Sequence, residues 1–323
     1  FQASASWKRV LLSSIPIQLS IRTPHPHSET MQRLPFLLER NNDRSIQGCW
    51  HLPEAESKGT VLFLHGYKGY MDWGAWPLVG ETFAKKGWRF LRINFTHNGT
   101  TPSQPSTFSD LQGFAANTYS RERDEAACVI QALREEGTQH DPTAASKPIA
   151  VIGHSRGGGI ACLAAADADT KLKAKGKTGV QALITWAAVA DFESRFPKGE
   201  AFERWKKSGT LEVINHRTRQ RMWHNWSFWE DFKAQQNNLD IEQAVRSFPG
   251  RSFIAHGTSD QAVDQSHAER LASFAQNPTL MMGEGMGHTF GAKEPWTEPV
   301  LPQALEALTQ TTLRFLEEGR AVQ

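Results

Sequence analysis

The sequence predicts an α/β fold: a mostly parallel sheet with helices on both faces and an inserted helical cap. Two observations predict it. From about residue 60, short apolar runs alternate with amphipathic segments, the pattern of βα units. Residues 191–247 then break that rhythm with a polar stretch dense in aromatics.

The elements follow in order. Residues 61–64 (VLFL) form an apolar strand ending at His65-Gly66, and residues 76–86 a helix closed by Gly87. Residues 89–93 (RFLRI) make the next strand. Residues 97–118, rich in Thr, Ser, Pro and Asn, read as a long loop. Ala126, Val129, Ile130 and Leu133 recur at helical spacing. Residues 149–152 (IAVI) are short, apolar and partly β-branched, as in a strand buried on both faces. A helix with many small side chains follows from Ile160. Further strands are expected at 180–190, 253–255 and 279–282. A last helix carries Leu301, Leu305, Leu308 and Leu316 on one side.

Size and charge narrow the function classes. The 323 residues, 39% hydrophobic, are enough for one large domain with an insertion. Residues 31–323 are assigned to it, with the cap at about 191–247. Residues 1–30 carry one acid, Glu29, and are set apart as an N-terminal extension. The net charge of +2 gives no field for nucleic acid or anionic membranes, and the basic run at 171–177 reads as a solvated loop. No apolar run approaches a membrane span. Cys49, Cys128 and Cys162 are widely spaced, so neither a disulfide framework nor a zinc site is expected. Sequons at Asn94, Asn98 and Asn225 matter only in a secreted chain; nothing else argues for secretion, and a cytoplasmic location is expected.

The chemistry concentrates at "GHSRGGG", residues 153–159, between the apolar strand and the small-residue helix. A plain turn can hold Ser and Gly. On a strand-to-helix turn, however, G-x-S-x-G makes a nucleophile elbow, which projects the serine hydroxyl while the glycines permit close packing. A serine needs a histidine to take its proton and an acid to orient that histidine. The elbow architecture places them in the order Ser, Asp/Glu, His, each after a strand. Asp260 in "HGTSD" and His288 in "GMGHTFG" satisfy that order after Ser155. Asp191 and Asp264 are rival acids, but both are also well placed as helix caps. The oxyanion hole is assigned to the backbone amides of Arg156 and Tyr67, although no HGGG is present.

These pieces, Leu64-His65-Gly66, Gly153-His154-Ser155-Arg156-Gly157, His256-Gly257-Thr258-Ser259-Asp260 and Gly287-His288, resemble the α/β-hydrolase superfamily. The resemblance is to its dienelactone-hydrolase and prolyl-oligopeptidase-like branch, and spans about residues 60–291. It implies Ser155 as nucleophile, His288 as base and Asp260 as orienting acid; from the motifs, no cofactor or metal is expected. The expected activity is a serine esterase acting on a small-molecule ester. An aminopeptidase or acyl-peptidase, and a non-hydrolytic binding homologue, are the alternatives.

Other readings fail on detail. Gly153 and Gly158 have the Walker A gap, but Gly159-Ile160 stands where Lys-Ser/Thr is required. There is no G-x-G-x-x-G after a first strand and no HExxH. His65 and His256 precede glycines at strand ends and read as structural; His154 packs beside the nucleophile. Met222, Trp226, Trp229 and Phe232 are spaced as one helix face, so Trp223, Trp226 and Trp229 are candidate substrate contacts as well as cap glue. Such a lining suits apolar or aromatic acyl or alcohol groups and offers no charged anchor.

Overall fold

Alternation along the strands divides the core in two. In the computed structural model, residues 32–40, 44–135, 137 and 142–320 are described; the expected extension, 1–30, lies outside them. The strands, in chain order, are β1 (Gln32–Leu38), β2 (Ile46–Leu52), β3 (Thr60–Leu64), β4 (Arg89–Asn94), β5 (Ile149–His154), β6 (Ala182–Trp186), β7 (Thr210–Asn215), β8 (Gln220–Asn225), β9 (Arg251–Gly257) and β10 (Pro278–Gly283). Eight of them form one sheet in the order β1-β2-β4-β3-β5-β6-β9-β10, antiparallel at β1, β2 and β4 and parallel from β4 onward. β7 and β8 form a separate antiparallel hairpin.

The helices are α1 (Trp76–Lys85), α2 (Leu111–Ala115), α3 (Tyr119–Glu135), α4 (Arg156–Ala174), α5 (Glu200–Ser208), α6 (Ser227–Ala234), α7 (Ile241–Ser247), α8 (Ser266–Phe274) and α9 (Gln303–Arg320). Val61, Phe63, Ala150 and Ile152 face one side, where α1 and α9 bring Trp76, Phe83, Leu305 and Leu308. Leu62, Leu64, Ile149 and Val151 face the other, packed by α3, α4, α7 and α8. Both faces of the central strands are thereby dry, which explains their continuous apolar runs. Among the described residues no helix is long and apolar enough to cross a membrane.

Four expectations change. The sheet begins earlier, with β1 and β2: β1 is an edge strand that tolerates Pro35 and turns Leu34, Phe36 and Leu38 to the core. The strand expected at 180–190 stops at Trp186, because Ala187 has φ 50°. Its amide donates to Ala255 O (2.8 Å), and the chain then runs buried past Ser155, where the Val189 amide reaches Ser155 O (3.3 Å). Residues 191–247, inserted between β6 and β9, are only partly helical. The β7–β8 hairpin lies among α5, α6 and α7, so Met222 and Trp223 stand on a strand and the single helix face drawn through Met222, Trp226, Trp229 and Phe232 does not exist. The long loop at 97–118 also holds α2, a short turn capped by Asp110 on the Gly113 amide (2.8 Å).

Candidate active site

Three strand ends at one edge of the parallel sheet supply the polar centre, as expected where ligands bind in α/β sheets. Ser155 follows β5 and leads into α4 with φ 57° and ψ −123°, a conformation L-residues rarely adopt. The turn is sharp enough that a Cβ on Gly157 would stand 2.4 Å from His65 O, so only glycine fits. A Cβ on Gly66 would stand 2.9 Å from the Cβ of Ser155, so the loop after β3 passes directly over the serine.

Asp260 follows β9 and His288 follows β10. His288 Nδ1 donates to Asp260 Oδ2 (2.8 Å), which leaves Nε2 to accept from the Ser155 hydroxyl (2.9 Å). All three sequence-predicted polar residues are thus brought into one hydrogen-bonded chain. The Asp260 side chain is fully buried and holds three further bonds. Its Oδ1 accepts from the amides of Ala262 (2.8 Å) and Val263 (3.0 Å), and His256 Nε2, whose N–H also reaches Val263 O (2.9 Å), lies 3.2 Å from Oδ2. Burial alone would raise the Asp260 carboxyl, but the bonds from His256, His288 and the Val263 amide outweigh it and hold the group well below the usual carboxylate range. The rival acids sit elsewhere: Asp191 caps the Ser194 amide (2.8 Å) and pairs with Arg270 (2.7 Å), while Asp264 caps the Ser266 amide (2.9 Å).

Neighbouring histidines brace this chain. His154 Nε2 donates to the carbonyl of His288 (2.9 Å), and burial, with the charge of His288, pushes its own pKa down to about 3. His65 Nδ1 donates to Gly66 O (2.9 Å); burial pushes its pKa down to about 4, and its Nε2 is left to accept from Asn98 Nδ2 (3.3 Å). Both rings are neutral fixtures of the loops beside Ser155. The Arg156 amide directly follows the serine and the Tyr67 amide follows Gly66, which passes over it; neither donates to a backbone acceptor among the described residues.

The surrounding side chains differ from those expected. Trp226 and Trp229 are half-buried and pack with Phe196, Phe202, Trp205 and Phe232 within the insertion. Trp223 lies on β8 between the buried Met222 and His224 and so faces the opposite way. The residues that reach the serine's neighbours are His224 and Phe228. His224 Nε2 lies 2.8 Å from Tyr67 Oη, and its ring stacks on that of Tyr67. Lys68 Nζ donates to Ile214 O (3.0 Å), a second tie between the loop after β3 and the hairpin. Arg156 lies over the rings of Tyr119 (4.5 Å), Phe228 (5.3 Å) and Tyr67 (5.4 Å), and its Nε donates to the buried Glu122 (2.9 Å). Nothing local in the sequence marks Glu122 or His224: one sits in the charged run "SRERDE", the other in the aromatic run "MWHNWSFW". No group of three His, Cys, Asp or Glu among the described residues is arranged to hold a metal ion.

The arrangement has structural relatives. Est1E from Butyrivibrio proteoclasticus is 16% identical with a TM-score of 0.62, covering 89% of this chain and 99% of its own. A dienelactone hydrolase from Anabaena variabilis (16%, TM-score 0.53) covers 89% of this chain and 98% of its own. A monoacylglycerol lipase from Paleococcus ferrophilus (11%, TM-score 0.58) covers 90% and 99%. At these identities the likeness is one of fold. No curated protein is similar enough in sequence to match. Residues 61–299, which contain Ser155, Asp260 and His288, match the alpha/beta hydrolase family. The chain belongs to the α/β-hydrolase family.

Proposed function

We propose that this protein is a serine esterase that cleaves carboxylic esters through an acyl-enzyme. The observation that carries the reading is the chain from Ser155 Oγ to His288 Nε2 (2.9 Å) and from His288 Nδ1 to Asp260 (2.8 Å). Ser155 Oγ attacks the ester carbonyl carbon as His288 takes its proton. The tetrahedral oxyanion is held by the amides of Tyr67 and Arg156. His288 then returns the proton to the leaving alcohol, giving the acyl-enzyme. Water, deprotonated by His288, attacks the acyl carbon, and Ser155 regains its proton as the acid departs. Asp260 stays ionised throughout and holds the imidazole in the tautomer the cycle needs.

We read residues 191–247 as a cap over this cleft. The ties from its hairpin, His224 to Tyr67 and Lys68 to Ile214, support that placement. The rings of Phe114, Tyr67 and Phe228 around Arg156 and His224 favour esters with an apolar or aromatic group on the acyl or alcohol side. Esterases and a lipase among the structural relatives agree with this reaction class.

The test is fluorophosphonate labelling with a panel of aryl esters and peptide anilides. Wild type is expected to be labelled at Ser155 and to turn over aryl esters in preference to anilides. Ser155→Ala is expected to lose labelling and nearly all turnover, with an unchanged melting temperature. Labelling at another serine, or anilides preferred to esters, would overturn the reading.

A further inference from the structure

The side chain that follows the nucleophile is built unlike a structural ion pair. A buried arginine paired for stability ordinarily meets a carboxylate edge to edge, with two parallel bonds. Here Glu122 offers only Oε2, to Arg156 Nε (2.9 Å), because its Oε1 accepts from Asn117 Nδ2 (2.7 Å). The distal end of the guanidinium is left over. Nη2 is buried and has no partner among the described residues, and the side chain keeps 9% of its surface accessible. A second polar atom in the same surroundings is also unpartnered and buried, Nδ1 of His224, a residue only 4% exposed. Arg156 and His224 border the same two rings, Tyr67 and Phe228. With the Tyr67 hydroxyl donating to His224 Nε2, Nδ1 carries the ring's hydrogen; in the other tautomer Nε2 donates to Tyr67 Oη and Nδ1 is an acceptor. Burial, and then the Arg156 charge, push the His224 pKa down to about 3, so the ring is neutral. In the first tautomer, the one an oxygen acceptor would select, two buried N–H donors have no acceptor among the described residues, one on the residue after the nucleophile and one on the ring stacked on Tyr67, where an unmade hydrogen bond is costly.

We propose that Arg156 and His224 form a polar subsite that takes a neutral oxygen acceptor, a ketone, hydroxyl or ether, on the substrate at a distance from the scissile ester. It rests on the esterase reading and sharpens it: the preferred ester is an oxygenated one, not a plain hydrocarbon. Neutrality follows from charge. Arg156 is already balanced by Glu122, and the other cation near Tyr67, Lys68, is only half-buried and donates to Ile214 O (3.0 Å), so a substrate carboxylate would place a second negative charge against a buried pair that is already neutral. A neutral oxygen satisfies the donors and leaves the pair balanced.

The experiment compares kcat/KM for nitrophenyl esters of linear acids with oxo-acid esters of equal length, the ketone moved stepwise along the chain. A parallel series carries the ketone on the alcohol side, and a third ends in a carboxylate. At one ketone position the oxo ester is expected to exceed its alkyl match by about tenfold or more, the size of one hydrogen bond to a charged donor. That ratio is expected to fall towards one in Arg156→Lys and in His224→Phe. Arg156→Lys keeps a cation beside Glu122 and so protects folding, whereas Arg156→Met strands a buried carboxylate. A ratio near one at every position, a ratio unmoved by Arg156→Lys, or a carboxylate ester preferred to the ketone, each overturns the subsite. Fluorophosphonate labelling of the same samples separates the two levels. Labelled, turning-over protein without an oxygen preference refutes the subsite alone; loss of both labelling and all ester turnover refutes the esterase reading and the subsite with it.

Discussion

Replacing Asp260 by Asn keeps the side chain's shape and reverses half of its hydrogen bonding. The carboxylate receives four donors: the amides of Ala262 (2.8 Å) and Val263 (3.0 Å) on Oδ1, and His288 Nδ1 (2.8 Å) and His256 Nε2 (3.2 Å) on Oδ2. An asparagine has one acceptor atom and one NH₂ group. Whichever way the amide lies, two donors face an NH₂ that cannot accept. If the NH₂ faces His288, the imidazole adopts the other tautomer, with its hydrogen on Nε2, and can no longer take the Ser155 proton. If it faces the two amides, buried N–H groups lose their acceptor, at about 1–3 kcal/mol each. The first arrangement preserves more backbone bonding and is the one expected. Turnover should then fall by about 10⁴-fold, near 5.5 kcal/mol in the barrier, as for the equivalent change in a serine protease.

Asp191→Asn is the control, because that residue is the rival acid. Asparagine still caps the Ser194 amide, and the lost bond to Arg270 (2.7 Å) joins side chains 28% and 45% exposed. Its loss should cost no more than about 1 kcal/mol of stability and leave turnover intact. The assay is kcat/KM on an aryl ester with melting temperatures for all three proteins. A folded Asp191→Asn without turnover, beside an Asp260→Asn near normal, would refute the reasoning and move the acid to the end of β6.

Three further outcomes follow from the geometry. Burial pushes His65 down to about 4 and His154 and His224 to about 3, so all three are neutral when folded, whereas in the unfolded chain they protonate near pH ~6.5. Below that pH the unfolded state binds more protons, so stability should decline as the pH falls from about 6.5 towards 4, by up to about 1.4 kcal/mol per pH unit for each histidine. Urea midpoints at about pH 7 and about pH 5 check it, and equal midpoints would contradict the burial argument. Trp229→Ala removes a half-buried ring packed on Phe196, Phe202 and Phe232 and should cost up to about 3 kcal/mol of stability, read as a lower melting temperature, with activity lost evenly across ester lengths. Phe228→Ala, beside Arg156 and His224, should instead change the ranking of bulky against short esters; an unchanged ranking would mean that ring is not in the cleft.

What could be read from the sequence was what local backbone rules dictate. The central strands declare themselves because both their faces are buried, which forces continuous apolar runs at 61–64 and 149–152. The turn at Ser155 declares itself because close approach admits only glycine at set offsets, and those offsets survive as text. Edge strand β1 does not, since it is half exposed and interrupted by Pro35. The β7–β8 hairpin was hidden for another reason: Met222, Trp226 and Trp229 happen to fall at helical intervals, while the real pattern is the two-residue alternation of buried Met222 and His224 on β8.

The same distinction separates chemistry from selectivity in the candidate site. The groups proposed to break the bond sit at strand ends, where sheet topology fixes their order and each is announced by its own short motif. The groups proposed to choose the substrate meet only through the fold. Glu122 reaches Arg156 from 34 positions away, and His224 reaches Tyr67 across 157. Glu122 sits in a charged run and His224 in an aromatic one, so no periodicity or spacing singles either out. Arg156 is the hinge between the two sets. Its amide borders the proposed oxyanion, its guanidinium borders the proposed polar subsite, and Glu122 orients it from α3. A change at Glu122, far from any motif, should therefore alter which esters are preferred more than whether Ser155 reacts. Glu122→Gln, compared with wild type for labelling rate and for the oxo-to-alkyl ratio, measures that separation directly. If labelling and ratio fall together, Arg156 acts as one unit and the division does not hold.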